Sequence, residues 1–240
     1  MAWVRRAGGT LAVVALVVGV AALLLLGLSG PGSRMEWWSF RTGLRLMTWA
    51  AYAGIAGMVL AAIPLAMGAR RLVAAIALVA SLAAFLPPWL FRRTAMSVPP
   101  IHDISTDTQD PPPFVAVLDR RGEASNPAEY GGPETAEQQR QAYPDVKTVT
   151  LPEPPARAFE RALSAAREQG WDIVAAVPEQ GRIEATDTTP WFGFKDDVVV
   201  RVRPEGAGSR IDVRSLSRVG RSDLGKNASR IRAYLRSLGG

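Results

Sequence analysis

Residues 196–217 read DDVVVRVRPEGAGSRIDVRSLS. In an extended strand Val198, Val200 and Val202 fall on one face and Val199, Arg201 and Arg203 on the other. Pro204-Glu205-Gly206 supplies turn residues, and residues 209–217 continue as a further strand, which predicts an antiparallel hairpin. Arg210, Asp212 and Arg214 then share one face of that strand.

Working outward, residues 171–177 and 182–188 are two more strands, joined at Glu179-Gln180-Gly181. Before them, residues 154–170 place Ala156, Phe159, Ala162, Leu163 and Ala166 on a helical stripe closed by Gly170. Residues 147–151 alternate as a strand, and 134–143 form a short polar helix. After the hairpin, Ser222 or Asp223 can cap a last helix with Ile231, Tyr234, Leu235 and Leu238 on its apolar face. The predicted order is β-α-β-β-β-β-α, an α+β domain with an antiparallel sheet and its helices on one face. Its compact core covers residues 146–240. Residues 96–145 add an extended strap rich in Pro and Asp, PPIHDISTDTQDPPP in its first part, and the short helix.

The front of the chain has a different character. Residues 11–28, 46–68 and 72–91 are uncharged apolar runs long enough to cross a bilayer. They predict an all-α membrane region of three spans over residues 1–95, the last two forming a tight hairpin. Pro87 and Pro88 break the hydrogen-bond ladder of the third span near its outer end, which a short exit segment tolerates. Gly54-x-x-Gly57 suits close helix packing. Arg5 and Arg6 before the first span, with Arg70 and Arg71 in the hairpin turn, place both on the cytoplasmic side by the positive-inside rule. Three spans then carry the C-terminal domain across the membrane. No span contains Asp, Glu, Lys, Arg or His, so the front reads as a holder and not as a conduit.

Charge and composition exclude several functions. Before residue 92 there are seven basic residues and one acidic residue, which account for the whole net charge of +6. The remaining 21 basic and 21 acidic residues balance, so the footprint of nucleic-acid binding is missing. There is no cysteine and a single histidine, His102, which excludes thiolate chemistry, iron–sulfur clusters and multi-histidine metal sites within one chain. No cofactor or metal is expected.

Three stretches, PPIHDISTD at 99–107, NPAEYGG at 126–132 and the run from 183 to 231 broken only at 205–208, together resemble the bacterial and plastid family catalogued as domain of unknown function 1499. Here the domain carries a three-helix anchor. The resemblance implies no activity. Its members commonly carry a signal sequence or membrane anchor, which implies a domain outside the cytoplasm, on the periplasmic side of a bacterial inner membrane.

Candidate site residues fall into three groups. His102, Asp103 and Asp107, with Ser105 and Asp110 nearby, crowd one strap, where a histidine beside carboxylates suits a general base or a ligand contact. The same residues suit local capping that docks the strap along a sheet edge. Trp191, Phe192 and Phe194 form an aromatic lip for an apolar or sugar-like ligand, or else cover the core. Gly220-Arg-Ser-Asp-Leu-Gly-Lys-Asn approaches a phosphate loop, but Asn227 replaces the Ser or Thr that loop requires and no parallel sheet surrounds it. A simpler anion site would use helix N-terminal donors with Arg218 and Arg221. Residues 201–240 hold ten basic and three acidic residues against nine and eighteen in 94–200, so the domain is dipolar.

The expected function is a non-catalytic envelope module. It would bind the bilayer and an anionic lipid, an envelope polymer or another membrane protein. The alternatives are a hydrolase or transferase using His102 with Asp103 or Asp107, and an accessory subunit of a membrane complex.

Overall fold

The computed structural model describes residues 2–122 and 124–239; Met1, Glu123 and Gly240 lie outside it, as do the side chains of Ala2, Val4 and Arg5. The chain divides into two compact units, one of residues 1–94 with Pro190–Gly193 and one of 95–189 with 194–240.

In the first unit, helices α1 (Ala2–Arg34), α2 (Phe40–Ala66) and α3 (Arg71–Ser97) are all long and apolar enough to cross a membrane. Each is longer than the uncharged stretch that predicted it, because flanking arginines are helical; α2 gains its length at the N-terminal end and stops at Ala66, short of Gly68. Arg93 lies over the Trp89 ring at 5.4 Å, a placement suited to the headgroup zone. Pro87 and Pro88 do not end α3. They remove two donors, yet the helix runs on to Ser97, as spans with interior prolines often do.

The helices meet at small residues. Ser81 of α3 is fully buried, and Cβ atoms added at Gly19 of α1 or Gly57 of α2 would run into its Oγ. A Cβ at Gly54 would meet the Ser81 carbonyl. Lipid supplies no hydrophobic drive for association, so packing at this point holds the helices together.

The second unit is built on a six-stranded antiparallel sheet. Its strands are β1 (Asp103–Ser105), β2 (Val149–Leu151), β3 (Asp172–Val177), β4 (Arg182–Thr188), β5 (Lys195–Glu205) and β6 (Gly208–Ser217), in the order β1-β6-β5-β4-β3, with β2 also on β6. The β5–β6 hairpin pairs Val200 with Val213 and Val202 with Ile211. Helices α4 (Gly132–Ala142), α5 (Pro155–Glu168) and α6 (Lys226–Ser237) complete the fold.

On the sheet's first face, Phe159, Ala162 and Leu163 of α5 and Ile231, Tyr234 and Leu235 of α6 are buried with Ile183, Val198, Val200, Ile211 and Val213. Burying a Phe or Ile side chain contributes about 1.5–3 kcal/mol, so this layer is the main apolar driving force. Trp171 stacks on Tyr234 at 4.9 Å, and the Tyr234 hydroxyl donates to the Ala162 carbonyl at 2.9 Å.

The strap is partly a strand. Its residues 103–105 pair with 214–216 of β6, so it docks on the sheet edge through backbone bonds. Gln139 of α4 closes that edge: its Oε1 accepts from Ser105 N–H at 2.9 Å and its Nε2 donates to the Ser105 carbonyl at 2.6 Å. The last helix starts one turn later than either candidate cap: its N-cap is Gly225, Ser222 accepts from Leu224 N–H in the preceding turn, and Asp223 accepts from Gly225 and Asn227 N–H, the latter inside the first turn of α6.

Replacing Gly57 by Leu should cost on the order of 1–3 kcal/mol of overpacking in the helical unit. Gly27→Leu, whose Cβ meets nothing within 4 Å, is the control. Helix melting in mild detergent, followed by circular dichroism, should fall for the first and stay unchanged for the second.

Candidate functional site

The sheet's second face carries charge where a core would ordinarily continue. By alternation it receives Arg182, Glu184 and Thr186 from β4, Asp197, Val199, Arg201 and Arg203 from β5, and Arg210, Asp212, Arg214 and Leu216 from β6. Only a small apolar cluster of Phe114, Val117, Val199 and Leu216 interrupts it. The register sets Arg182 opposite Arg201 and Arg203 opposite Arg210. Like charges directly opposite destabilise a sheet unless counter-charges lie between them.

The counter-charges are present. Asp197, fully buried, accepts from Arg218 through Nε at 3.0 Å and Nη2 at 2.7 Å, from Arg121 at 2.6 Å and from Thr186 at 2.9 Å. Asp103 forms a two-bond fork with Arg214 at 2.9 and 2.8 Å. The Arg214 guanidinium also lies over the rings of Phe114 and Tyr130, at 4.8 and 5.4 Å. Burial and the nearby Asp103 push the Tyr130 hydroxyl up to about 12. Glu184 accepts N–H groups from Val115, Ala116 and Val117, each at 3.0 Å, and is also paired with Arg182. Three successive amides aimed at one carboxylate form an anion nest, and it holds the covering segment down.

Asp212 anchors the third cluster. It accepts from Thr148 at 2.6 Å, Arg201 at 3.0 Å, Arg203 at 3.2 Å and Arg210 at 3.2 Å. Asp107 adds a bond from Arg210 at 2.7 Å. Asp110 is paired with Arg203 at 2.9 Å and Arg201 at 3.2 Å. Burial alone would raise the Asp212 carboxyl, but the bonds from Thr148, Arg201 and Arg210 outweigh it and hold it below the ordinary carboxylate range. On the opposite face, Arg230 of α6 pairs with Asp187 at 2.7 Å and Asp196 at 2.6 Å.

The residues singled out from sequence are dispersed among these arrangements. His102 and Asp103 are consecutive in an extended segment and project to opposite faces. His102 Nδ1 lies 3.3 Å from the Arg221 carbonyl, whereas the side-chain partner of Asp103 is Arg214. Asp107 accepts from the Gln109 and Asp110 amides, as a capping residue does, and from arginines. Neither carboxylate is brought to His102.

Arg218 is committed to Asp197 and Arg221 is exposed, so the two do not converge. The helix N-terminal amides that would meet an anion are occupied by Asp223. Burial pushes the Asp223 carboxyl up, against the pull of those amides. Of the aromatic lip, Trp191 is exposed and Phe192 buried; both are grouped with the helical unit, and Phe194 with the sheet domain. Among the described residues no cluster of His, Asp and Glu is arranged to hold a metal ion.

Sequence reasoning passed over Asp197, Glu184 and Gln139. A signal existed for Asp197, an acidic residue running straight into three valines of a strand. Glu184 and Gln139 gave none, since the backbone groups they bind lie far away in the chain, at Val115–Val117 and at Ser105.

Two outcomes follow. Arg218→Ala leaves Asp197 buried with Arg121 and Thr186 as its remaining partners and should cost about 3–5 kcal/mol, read by denaturant unfolding through the buried Trp171. For Asp212, a depressed folded value means its stabilisation is present above the unfolded carboxylate value, about 4, and is lost as pH falls through the folded value. Unfolding free energy measured from pH 6 to pH 2 should fall less steeply in Asp212→Asn than in the parent.

Residues 103–238, more than half of the chain, match the family model described as "Protein of unknown function (DUF1499)". No curated protein matches, and no solved structure matches.

Proposed function

The chain belongs to the DUF1499 family, and from that premise we propose that it is a membrane-anchored, non-catalytic module that holds an anionic partner beside the bilayer. The partner class is an anionic lipid, an anionic envelope polymer or an acidic surface of another membrane protein. The setting is the inner membrane of a bacterial cell, with the N-terminus in the cytoplasm and the sheet domain on the periplasmic side. Arg70 and Arg71 in the hairpin turn support that direction through the positive-inside rule.

One observation carries the reading. Apart from Asp223, which accepts backbone amides, the domain's buried carboxylates are paired with arginines, while Lys195, Arg221 and Lys226 are exposed and, among the described residues, form no ion pair. Backbone bonds join this region: Arg218 N–H donates to the Lys195 carbonyl, and Lys226 N–H to the Asp223 carbonyl. A catalyst would need a base within reach of a group that orients it, and the partners of His102, Asp103 and Asp107 are spent elsewhere.

Purification of the full chain in mild detergent, with mass spectrometry of bound lipid, polymer and protein, tests this. A discrete anionic species should copurify. Near an anionic surface each cation contributes about 1 kcal/mol, so replacing Lys195, Arg221 and Lys226 by Gln should cut retention by about two orders of magnitude. An empty monomer would sink the reading. A stoichiometric protein subunit whose retention ignores the three substitutions would favour an accessory role in a membrane complex.

A further inference from the structure

Three arginines of the second face stand apart from the other ion pairs. Arg201 and Arg203 are two residues apart on β5, and Arg210 lies opposite Arg203 on β6, so their guanidinium groups fan out on one side of the sheet. Asp212 is the pivot. It is fully buried, and one of its oxygens, Oδ2, accepts from all three arginines. Asp107 is largely enclosed, its side chain 11% exposed, and its Oδ1 is engaged by two backbone amides.

Asp110 differs from both. Its side chain is 64% exposed, and among the described residues its Oδ2 meets Arg203 Nη1 at 2.9 Å and Arg201 Nη1 at 3.2 Å, while its backbone carbonyl accepts from Arg201 Nη2 at 2.7 Å. Two donors from two arginines therefore converge on a single carboxylate oxygen at the mouth of the cluster. Arg201 Nε is also buried and, among the described residues, has no acceptor. The other carboxylate near Arg210 is Glu205, which accepts from Thr150 at 2.8 Å.

We propose that Arg201, Arg203 and Arg210 form a binding site for a phosphate-class oxyanion, and that the Asp110 carboxylate is its resident occupant. This rests on the reading of the protein as a module for an anionic partner and gives that partner a chemistry. With Asp110 turned to solvent, three guanidinium groups face the two anchoring carboxylates Asp107 and Asp212, a surplus of one positive charge within the fan, with Glu205 beside it bonded to Thr150. Planar guanidinium donors match phosphate oxygens in pairs, better than they match a lone carboxylate oxygen. An exposed ion pair is weak, so the exchange of Asp110 for a phosphate oxyanion is cheap. Asp107 and Asp212 meanwhile hold the fan open in the same geometry. Inorganic phosphate and the phosphodiester of a lipid headgroup present the same oxygens.

The test uses the full chain in nanodiscs of neutral lipid, titrated with inorganic phosphate by calorimetry, with thermal unfolding recorded in parallel. Asp110→Ala removes an internal competitor and should bind phosphate about fivefold to tenfold more tightly, with its melting temperature essentially unmoved. Placing Arg203→Ala in that background should abolish the gain; Arg203→Lys, which keeps the charge and loses the planar fork, should retain part of it. Asp110→Ala binding no tighter than the parent would overturn the proposal, and so would a gain that survives Arg203→Ala.

Phosphate binding lost on replacing Lys195, Arg221 and Lys226 by Gln but indifferent to Arg203 would overturn the fan and leave the anionic-partner reading standing. Absence of binding in every variant, with no anion copurifying, would overturn both. Repeating the titration in phosphatidylglycerol nanodiscs assigns the source. Suppressed phosphate binding marks a lipid headgroup as occupant and unchanged binding marks a soluble phosphate, and either result supports the site.

Discussion

The buried contact between Asp197 and the paired arginines Arg218 and Arg121 is the constraint on which the domain turns. Asp197 sits in the central strand of the sheet at 0% exposure, directly before three valines. An isolated carboxylate there would cost several kcal/mol to desolvate, so the fold has to bring guanidinium donors to it. Those donors come from far along the chain. Arg218 follows β6, and Arg121 belongs to the irregular segment that crosses the second face. Meeting this requirement closes the cover over the sheet and sets the positions of Phe114, Val117 and the nest around Glu184.

Buried ion pairs are a poor source of net stability, because apolar residues of the same volume would often do better. The first face, with α5 and α6, supplies the apolar driving force. The second face contributes definition: planar guanidinium groups meet the carboxylates in fixed geometries, some in single forks such as Arg214 on Asp103 and some in shared clusters such as the three arginines on Asp212. The strap from Asp103 to Asp110 reaches its place through Arg214, Arg210 and Arg201, through the backbone pairing of β1 with β6, and through one fully buried apolar side chain, Ile104. The rim of the same face is the least tightly bound part of the network, and exchange with an external anion is easiest there.

Much of this was legible in the sequence. The three apolar runs gave the spans, and the alternation in residues 196–217 gave the central hairpin with its valine face correctly assigned. The family resemblance was carried by residues that turn out to be structural: Asp103, Asp197, Asp212, Arg214 and Arg218 all lie in the quoted stretches. The candidate site was legible as residue types and not as pairings. Asp103 and Asp107 suggested acid–base chemistry beside His102, but strand alternation turned Asp103 away and placed it on an arginine more than a hundred residues later. Arg218 suggested an anion site, and the anion it binds is the chain's own Asp197. No local signal announces such long-range pairs, because each partner reads as an ordinary surface charge. Pro87 and Pro88 lie inside α3, which tolerates the two missing donors and continues past the apolar run to Ser97.

Hydrogen exchange at the amides of Val115, Ala116 and Val117 tests most directly whether charge holds the cover on the second face. These amides lie in a segment with no regular secondary structure, and their acceptor is the Glu184 carboxylate. In the parent chain they are expected to exchange as slowly as the amides of β5. In Glu184→Ala they should exchange at open-loop rates while those of Val198 and Val200 stay protected. Fast exchange of the three amides in the parent, or unchanged protection in Glu184→Ala, would contradict the account.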